Sequence, residues 1–171
     1  SKFIVLPRPA TSCLRGRLSS TLGIRSAPLY LFVMDIDPEA VVREFWRLMS
    51  SNNFNSVKAV LAADFVMEWP QSKERIRGAE NFARMNGEYP ATGQWQFVIN
   101  RLVVQGGSVV TQMSLTDGTQ SAEPISFFTV DQGKITQLVE YWPDPFEPQA
   151  NRRHLVELMA HDSLPPPATD A

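Results

Sequence analysis

QWQFVINRLVVQGGSVVTQMSLTDGTQSAEPISFFTVDQGKITQLVEYW, residues 94–142, is the stretch that decides the fold. It divides at Gly106-Gly107, Asp117-Gly118 and Gln132-Gly133, residue pairs that suit tight hairpin turns. The pieces between them read as four strands, over 94–105, 108–116, 122–131 and 134–142. Sequential hairpins make an antiparallel meander. The strands carry aromatics and methionine, with isolated polar groups at Gln112, Ser126 and Glu140. An apolar wall with a few placed polar groups is the composition of a concave pocket.

Helical patterns precede the meander. Asp37 suits an N-cap, Pro38 the first helical position, and Glu39 the positive end of the helix dipole. Val41, Phe45, Leu48 and Met49 then share one face, with Val42 and Trp46 beside it. Residues 50–53, Ser-Ser-Asn-Asn, end that helix. Phe54, Val57, Val60 and Leu61 predict a second, short helix. Residues 65–69 read as a strand stopped by Pro70, and 71–77 as a polar loop with Lys73, Arg75 and Arg77. Gly78 opens a third helix, carrying Phe82 and Met85 and ended by Gly87. Helices followed by a long antiparallel run predict an α+β domain. Its expected form is a cone-shaped α+β barrel, a strongly curved mixed or antiparallel sheet wrapped around three N-terminal helices. The boundaries expected are an extension over 1–34, the domain over 35–145, a C-terminal helix within 146–162, and a tail over 163–171 that includes Pro165-Pro166-Pro167.

Composition narrows the function classes. No apolar run approaches the ~20 residues of a membrane-spanning helix. A lone Cys13 excludes an internal disulfide framework and a multi-thiolate metal site. Of 16 bases, five lie in residues 1–34, which hold no acid; the other 11 face all 18 acids, a net charge of −7. So acidic a body argues against a nucleic-acid partner. Residues 1–34, rich in Arg and Ser, read either as a transit peptide, which would place the protein in mitochondria, or as an extension upstream of Met34. Pro7, Pro9 and Gly16 interrupt the amphipathic helix of the first reading, so the second, with a cytoplasmic protein, is preferred.

Strand parity extends the reading. Ile125 and Phe127 point one way, while Ser126, Phe128 and Val130 point the other. A sheet wet on one side alternates apolar with polar residues, so both faces here call for a cover. The helices cover the concave face; a second subunit is the simplest cover for the convex one, which predicts a homodimer.

The order of elements, with Phe128-Thr129-Val130-Asp131-Gln132-Gly133-Lys134-Ile135 followed by Glu140-Tyr141-Trp142, resembles the nuclear transport factor 2-like superfamily. Within it, the chain is most similar to the SnoaL-like polyketide cyclase and ketosteroid isomerase branches, over about residues 37–143. Ketosteroid isomerase tunes the pKa of its carboxyls by their surroundings, so a residue-level comparison with it is useful. The isomerase's phenolic donor falls at Phe45, its general base at Trp69 before Pro70, and its protonated acid at Ser126 after Pro124-Ile125. None of these three can do the isomerase's work, so steroid isomerisation is excluded while the pocket is kept. The resemblance places Trp142 at a pocket-lining position and Asn86 at the position of a pocket-lining aromatic. SnoaL-like cyclases pair a carboxylate with a histidine, but both histidines here, His154 and His161, lie beyond the sheet.

Glu140 is then the best proton carrier, since it shares a strand face with Trp142; the alternative is a rim glutamate paired with Arg101 or another base. Ser126 is expected to orient a ligand. Phe45, Met49, Trp69, Phe82, Met85, Asn86, Met113, Leu115, Phe128 and Trp142 are the expected ligand-binding residues. Glu68 and Glu123 should face outward, and Asp64 is read as structural. His154, Glu157 and His161 share helical spacing but are read as no metal site. With Trp46 and Trp95, the four tryptophans suit a flat apolar ligand or simply fill the cone. The expected protein therefore binds a small apolar compound, needs no cofactor or metal, and touches neither nucleic acid nor membrane. If enzymatic, it is a cofactor-free isomerase, cyclase or dehydratase. The alternative is a non-catalytic binding or dimerisation module.

Overall fold

The computed structural model describes residues 36–159. The readings of residues 1–34, His161 and the proline-rich tail lie outside these residues.

Helix α1 spans Pro38–Ser50 and forms where the capping pattern places it. The Asp37 carboxylate accepts the Glu39 amide N–H at 3.0 Å, satisfying one of the donors a helix start leaves free. Val41, Val42, Phe45, Trp46, Leu48 and Met49 are its buried stripe. The chain leaves the helix through Asn52 in the left-handed region, φ 57°, which asparagine tolerates better than most residues. From there the Asn52 side chain accepts the Trp95 N–H at 2.8 Å and donates to the Trp95 carbonyl at 2.9 Å. The end of α1 is thereby tied to the start of the meander.

The second helical pattern is a 3-10 helix, Phe54–Ala59, and not an α-helix. Strand pairing takes the residues the helical spacing had claimed: Ile135 donates to the Val60 carbonyl at 2.9 Å, and Leu61 already stands opposite Ile135. Strand β1 is accordingly Leu61–Trp69, four residues longer at its start than the sequence suggests, and it includes an exposed Asp64. The expected polar loop also contains a strand, β2, Glu74–Arg77, antiparallel to β1. It is an edge strand, and the charges that made it read as a loop are those that protect an edge from pairing further. Helix α2 covers Ala79–Glu88; Gly87 lies inside it rather than ending it.

The remaining strands are β3 Gln96–Gln105, β4 Ser108–Thr116, β5 Ser121–Ala122, β6 Ile125–Asp131 and β7 Lys134–Tyr141. The sheet order is β2-β1-β7-β6-β4-β3, with β5 paired to β4. Only β1 and β7 run parallel, so the sheet is mixed. The expected third strand is broken at Glu123-Pro124: proline has no N–H for the ladder, and β6 starts after it. The β6–β7 turn has Gln132 at φ 47° and Gly133 at φ 75°, the pair of left-handed residues that a two-residue hairpin requires.

α1 and α2 fill the concave side. Phe45 meets Trp46 and Phe128 edge-on at 5.0 and 5.3 Å, and Phe82 meets Phe65 at 5.5 Å. Such pairs stabilise by ~0.5–1.5 kcal/mol beyond their buried area. The convex side leaves Ile125, Phe127 and Tyr141 37–43 % exposed, with the Phe127 and Tyr141 rings 6.0 Å apart. In place of the expected C-terminal helix there is an exposed 3-10 turn, Ala150–Leu155, because its apolar side chains have nothing to pack on. Among the described residues, no helix is long and apolar enough to cross a membrane.

One polar residue organises the rim. Asp117 accepts the amide N–H groups of Thr92, Thr119 and Gln120, at 2.7–2.9 Å. These bonds hold its carboxyl well below the usual range. A depressed carboxyl contributes stability above its unfolded pKa and loses it as pH falls. Asp117→Asn is therefore expected to be less stable than the parent at neutral pH, with the gap in urea midpoint closing below about pH 4. A gap independent of pH would contradict this role.

Candidate functional site

A cavity of about 630 Å³ opens between the helices and the concave sheet. α1 supplies Phe45 and Met49, α2 supplies Phe82, Met85 and Asn86, and the sheet supplies Leu115, Leu138 and Glu140. Trp69 ends β1 and Trp142 follows β7, so both indoles stand at the same end of adjacent parallel strands.

Glu140 is the buried carboxyl of this wall. It is 4 % exposed, and each of its neighbours is a donor. Ser126 Oγ–H donates to Oε1 at 2.8 Å, Trp142 Nε1–H to Oε2 at 2.8 Å, and Trp69 Nε1–H to Oε2 at 3.2 Å. The register explains the set. Ser126 lies directly opposite Glu140 on β6, Trp142 is two residues on and hence on the same face, and Trp69 comes from the next strand. Gln71 fixes the arrangement from outside: its side chain accepts the Trp142 N–H at 2.6 Å and donates to the Trp142 carbonyl at 3.1 Å. Among the described residues no cation pairs with Glu140, and the expected alternative partner, Arg101, is exposed on β3. Burial pushes the Glu140 carboxyl above its ordinary range, against the opposing pull of Ser126, Trp69 and Trp142.

Nine of the residues singled out from sequence line the cavity: Glu140, Phe45, Met49, Trp69, Phe82, Met85, Asn86, Leu115 and Trp142. Three do not. Met113 and Phe128 are shut inside the core at 0 % and 2 % exposure, because the packing of α1 closes over that part of the sheet. Ser126 is wholly buried, and its hydroxyl is bonded to the Glu140 carboxylate. Asn86 has its amide N–H committed to the Phe82 carbonyl at 2.9 Å. Gln112 stands opposite Ile125, on the convex side. Glu68 is held by Arg75 at 2.7 Å, on the face opposite Trp69, while Glu123 and the Lys73 loop are exposed. His154 and Glu157 are also exposed.

Sequence reading missed Met67, Tyr89, Phe97 and Gln71 in the lining. Met67 was legible, since it shares the parity of Trp69. Tyr89 and Gln71 sit on loops, where no period applies. Trp46 also lines the cavity, and its Nε1–H has no partner among the described residues.

The SnoaL-like domain profile matches residues 42–138. The chain belongs to the SnoaL-like domain family. A structure from Kribbella flavida DSM 17836, named as a candidate ketosteroid isomerase, is 32% identical; the match covers 72% of this chain and 90% of that one, with a TM-score of 0.67. An LEH-like epoxide hydrolase of M. tuberculosis is 25% identical, covering 62% and 82%, with a TM-score of 0.52. A candidate SnoaL-like polyketide cyclase of Shewanella putrefaciens CN-32 shares the fold at 9% identity, covering 61% and 88%, with a TM-score of 0.54. No curated protein matches the chain. The SnoaL-like domain is thus a cone-shaped fold whose relatives carry isomerase, cyclase and epoxide hydrolase names.

A raised carboxyl stabilises the fold only while it is protonated. Its contribution is complete below the unfolded pKa of about 4.3 and is lost as pH rises through the folded value. Glutamine reproduces the protonated form, with its oxygen accepting both indoles and its NH2 facing Ser126 Oγ. Glu140→Gln is therefore expected to melt higher than the parent at neutral pH, with the gap opening as pH rises above the unfolded value of about 4.3. A variant destabilised equally at every pH would show that Glu140 is a structural carboxylate.

Proposed function

We propose that this SnoaL-like domain binds a small, largely apolar compound in the cavity and works on it by cofactor-free proton transfer, with Glu140 carrying the proton. The observation that supports this is a carboxyl 4 % exposed on the wall of an open cavity. A cone filled by its own aromatics, the premise of the non-catalytic alternative, would leave no such space. Isomerisation, cyclisation and dehydration each need a proton taken from one atom and returned to another, which one carboxyl with a raised pKa can do.

The position of the acid gives the reading its detail. In the ketosteroid isomerase comparison the protonated acid falls at Ser126, and here that residue is a serine bonded to Glu140 across the β6–β7 pair. An acid reaches the same part of the cavity from the neighbouring strand. The isomerase's other two positions, Phe45 and Trp69, line the cavity without acid or base capacity. Steroid isomerisation is therefore outside the proposal.

Purification from the native host followed by mass spectrometry is expected to find a small molecule that Leu115→Trp, which fills the lumen, fails to retain. With that molecule as substrate, Glu140→Gln is expected to lower kcat by roughly 10²–10⁴-fold, the usual contribution of a general acid–base group. Undiminished turnover would remove Glu140 from the chemistry.

The exposed convex patch supports a homodimer as well. Ile125, Phe127 and Tyr141 stand together on the outer face of β6 and β7, where a second copy would cover them. Phe127→Asp is expected to convert a dimer to a monomer in light scattering while the far-UV spectrum stays unchanged. A parent that already runs as a monomer would dismiss the dimer.

A further inference from the structure

We infer that the compound bound here carries a positive charge: an ammonium or quaternary ammonium group on an apolar body, with Glu140 as its counter-ion. This rests on the proposed reading that the cavity holds a small molecule, and it names the class of that molecule.

Among the described residues, the lining contains two carboxylates, Glu140 deep inside and Asp144 on the exposed segment after Trp142, and no lysine, arginine or histidine. An anion would meet Glu140 without any basic side chain to receive it. The acceptor count on Glu140 is equally informative. Each carboxylate oxygen offers two lone-pair sites. The two indole N–H groups occupy both sites on Oε2, and Ser126 occupies one on Oε1. One acceptor site on Oε1 remains. A single free site suits an ammonium N–H or the electrostatic approach of an alkylated nitrogen. It does not suit a hard metal ion, which asks for six or more oxygens.

The rest of the wall matches the same ligand. Nine of the lining residues are aromatic, and a cation beside indole and phenyl rings is attracted by their negative faces. Trp69 and Trp142 serve twice, because their N–H edges hold Glu140 while their rings form the wall next to it. This coupling sets the carboxylate and the aromatic surface side by side, where one compact cation meets both.

Charge balance also links binding to pH. Tyr89 and Asp144 are the other titratable side chains of the lining, while Ser126, Trp69 and Trp142, which touch Glu140 directly, do not titrate in the working range. Burial raises the Glu140 carboxyl, and a cation in the cavity opposes that shift by favouring the ionised form. Binding of a permanently charged ligand would release the Glu140 proton to solvent and leave the carboxylate in its basic form. The resting acid thus becomes the base the proposed reaction needs.

The test compares phenyltrimethylammonium with tert-butylbenzene, which match in shape and differ only in nitrogen against carbon. Binding to the 171-residue chain is followed by titration of the Trp69 and Trp142 indole N–H resonances. The cation is expected to bind at least about tenfold more tightly than the neutral isostere near pH 8, with the preference shrinking toward pH 5. Glu140→Gln is expected to abolish most of that preference. Equal or better binding of tert-butylbenzene would overturn the charge assignment and leave the cavity reading intact. Failure of both compounds to shift either indole resonance would overturn the charge assignment and the ligand-binding reading together. The comparison of the two probes is made on the parent protein, so it stands even if the variant does not fold.

Discussion

The site depends on one buried carboxyl and the three groups that donate to it. Glu140 joins β6 through Ser126, β1 through Trp69, and the segment after β7 through Trp142. A carboxyl removed from water costs several kcal/mol unless hydrogen bonds replace its hydration. Here three donors offset part of that cost, and their geometry has a second effect: two large, flat side chains, Trp69 and Trp142, are held in the cavity wall. Without the carboxyl the indoles would lose their shared acceptor; without the indoles the carboxyl would be an uncompensated polar group. The buried carboxyl and the two indoles of the cavity wall are consequently one structural unit.

That arrangement needs the mixed topology of the sheet. Trp69 and Glu140 become neighbours because β1 runs parallel to β7, which brings the C-terminal ends of both strands to one side. The meander alone could not do this. The helices then decide which part of the concave face stays open. Phe45 and Trp46 pack on Phe128, and the cavity opens beside them, toward Trp69, Leu115 and Trp142. The ketosteroid isomerase comparison gains meaning from this geometry. In that comparison the acid position falls at Ser126, and the carboxyl bonded to this serine is carried by β7.

Much of the fold was legible in local pattern. Asp37-Pro38 marks the start of α1, and Gln132-Gly133 marks a hairpin, because each satisfies a backbone requirement within a few residues. The misreadings share a cause. Leu61 has helical spacing but is taken by β7, the charged residues of β2 read as a loop until β1 pairs with them, and the segment after residue 150 has a helical pattern but no surface to pack on. In each case a long-range partner, present or missing, overrides the local signal.

By itself, the sequence determined the α+β class, the meander, the helix that fills it, and the face on which Glu140 stands. These follow from side-chain period and from residue identity, which no packing can alter. Only the tertiary structure decided that Ser126 is bonded to Glu140, that Met113 and Phe128 are core, and that two indole N–H groups converge on a carboxyl that has no counter-cation among the described residues. Those facts depend on which strands lie side by side and how far the helices descend onto the sheet, and both are set by contacts between residues far apart in the chain.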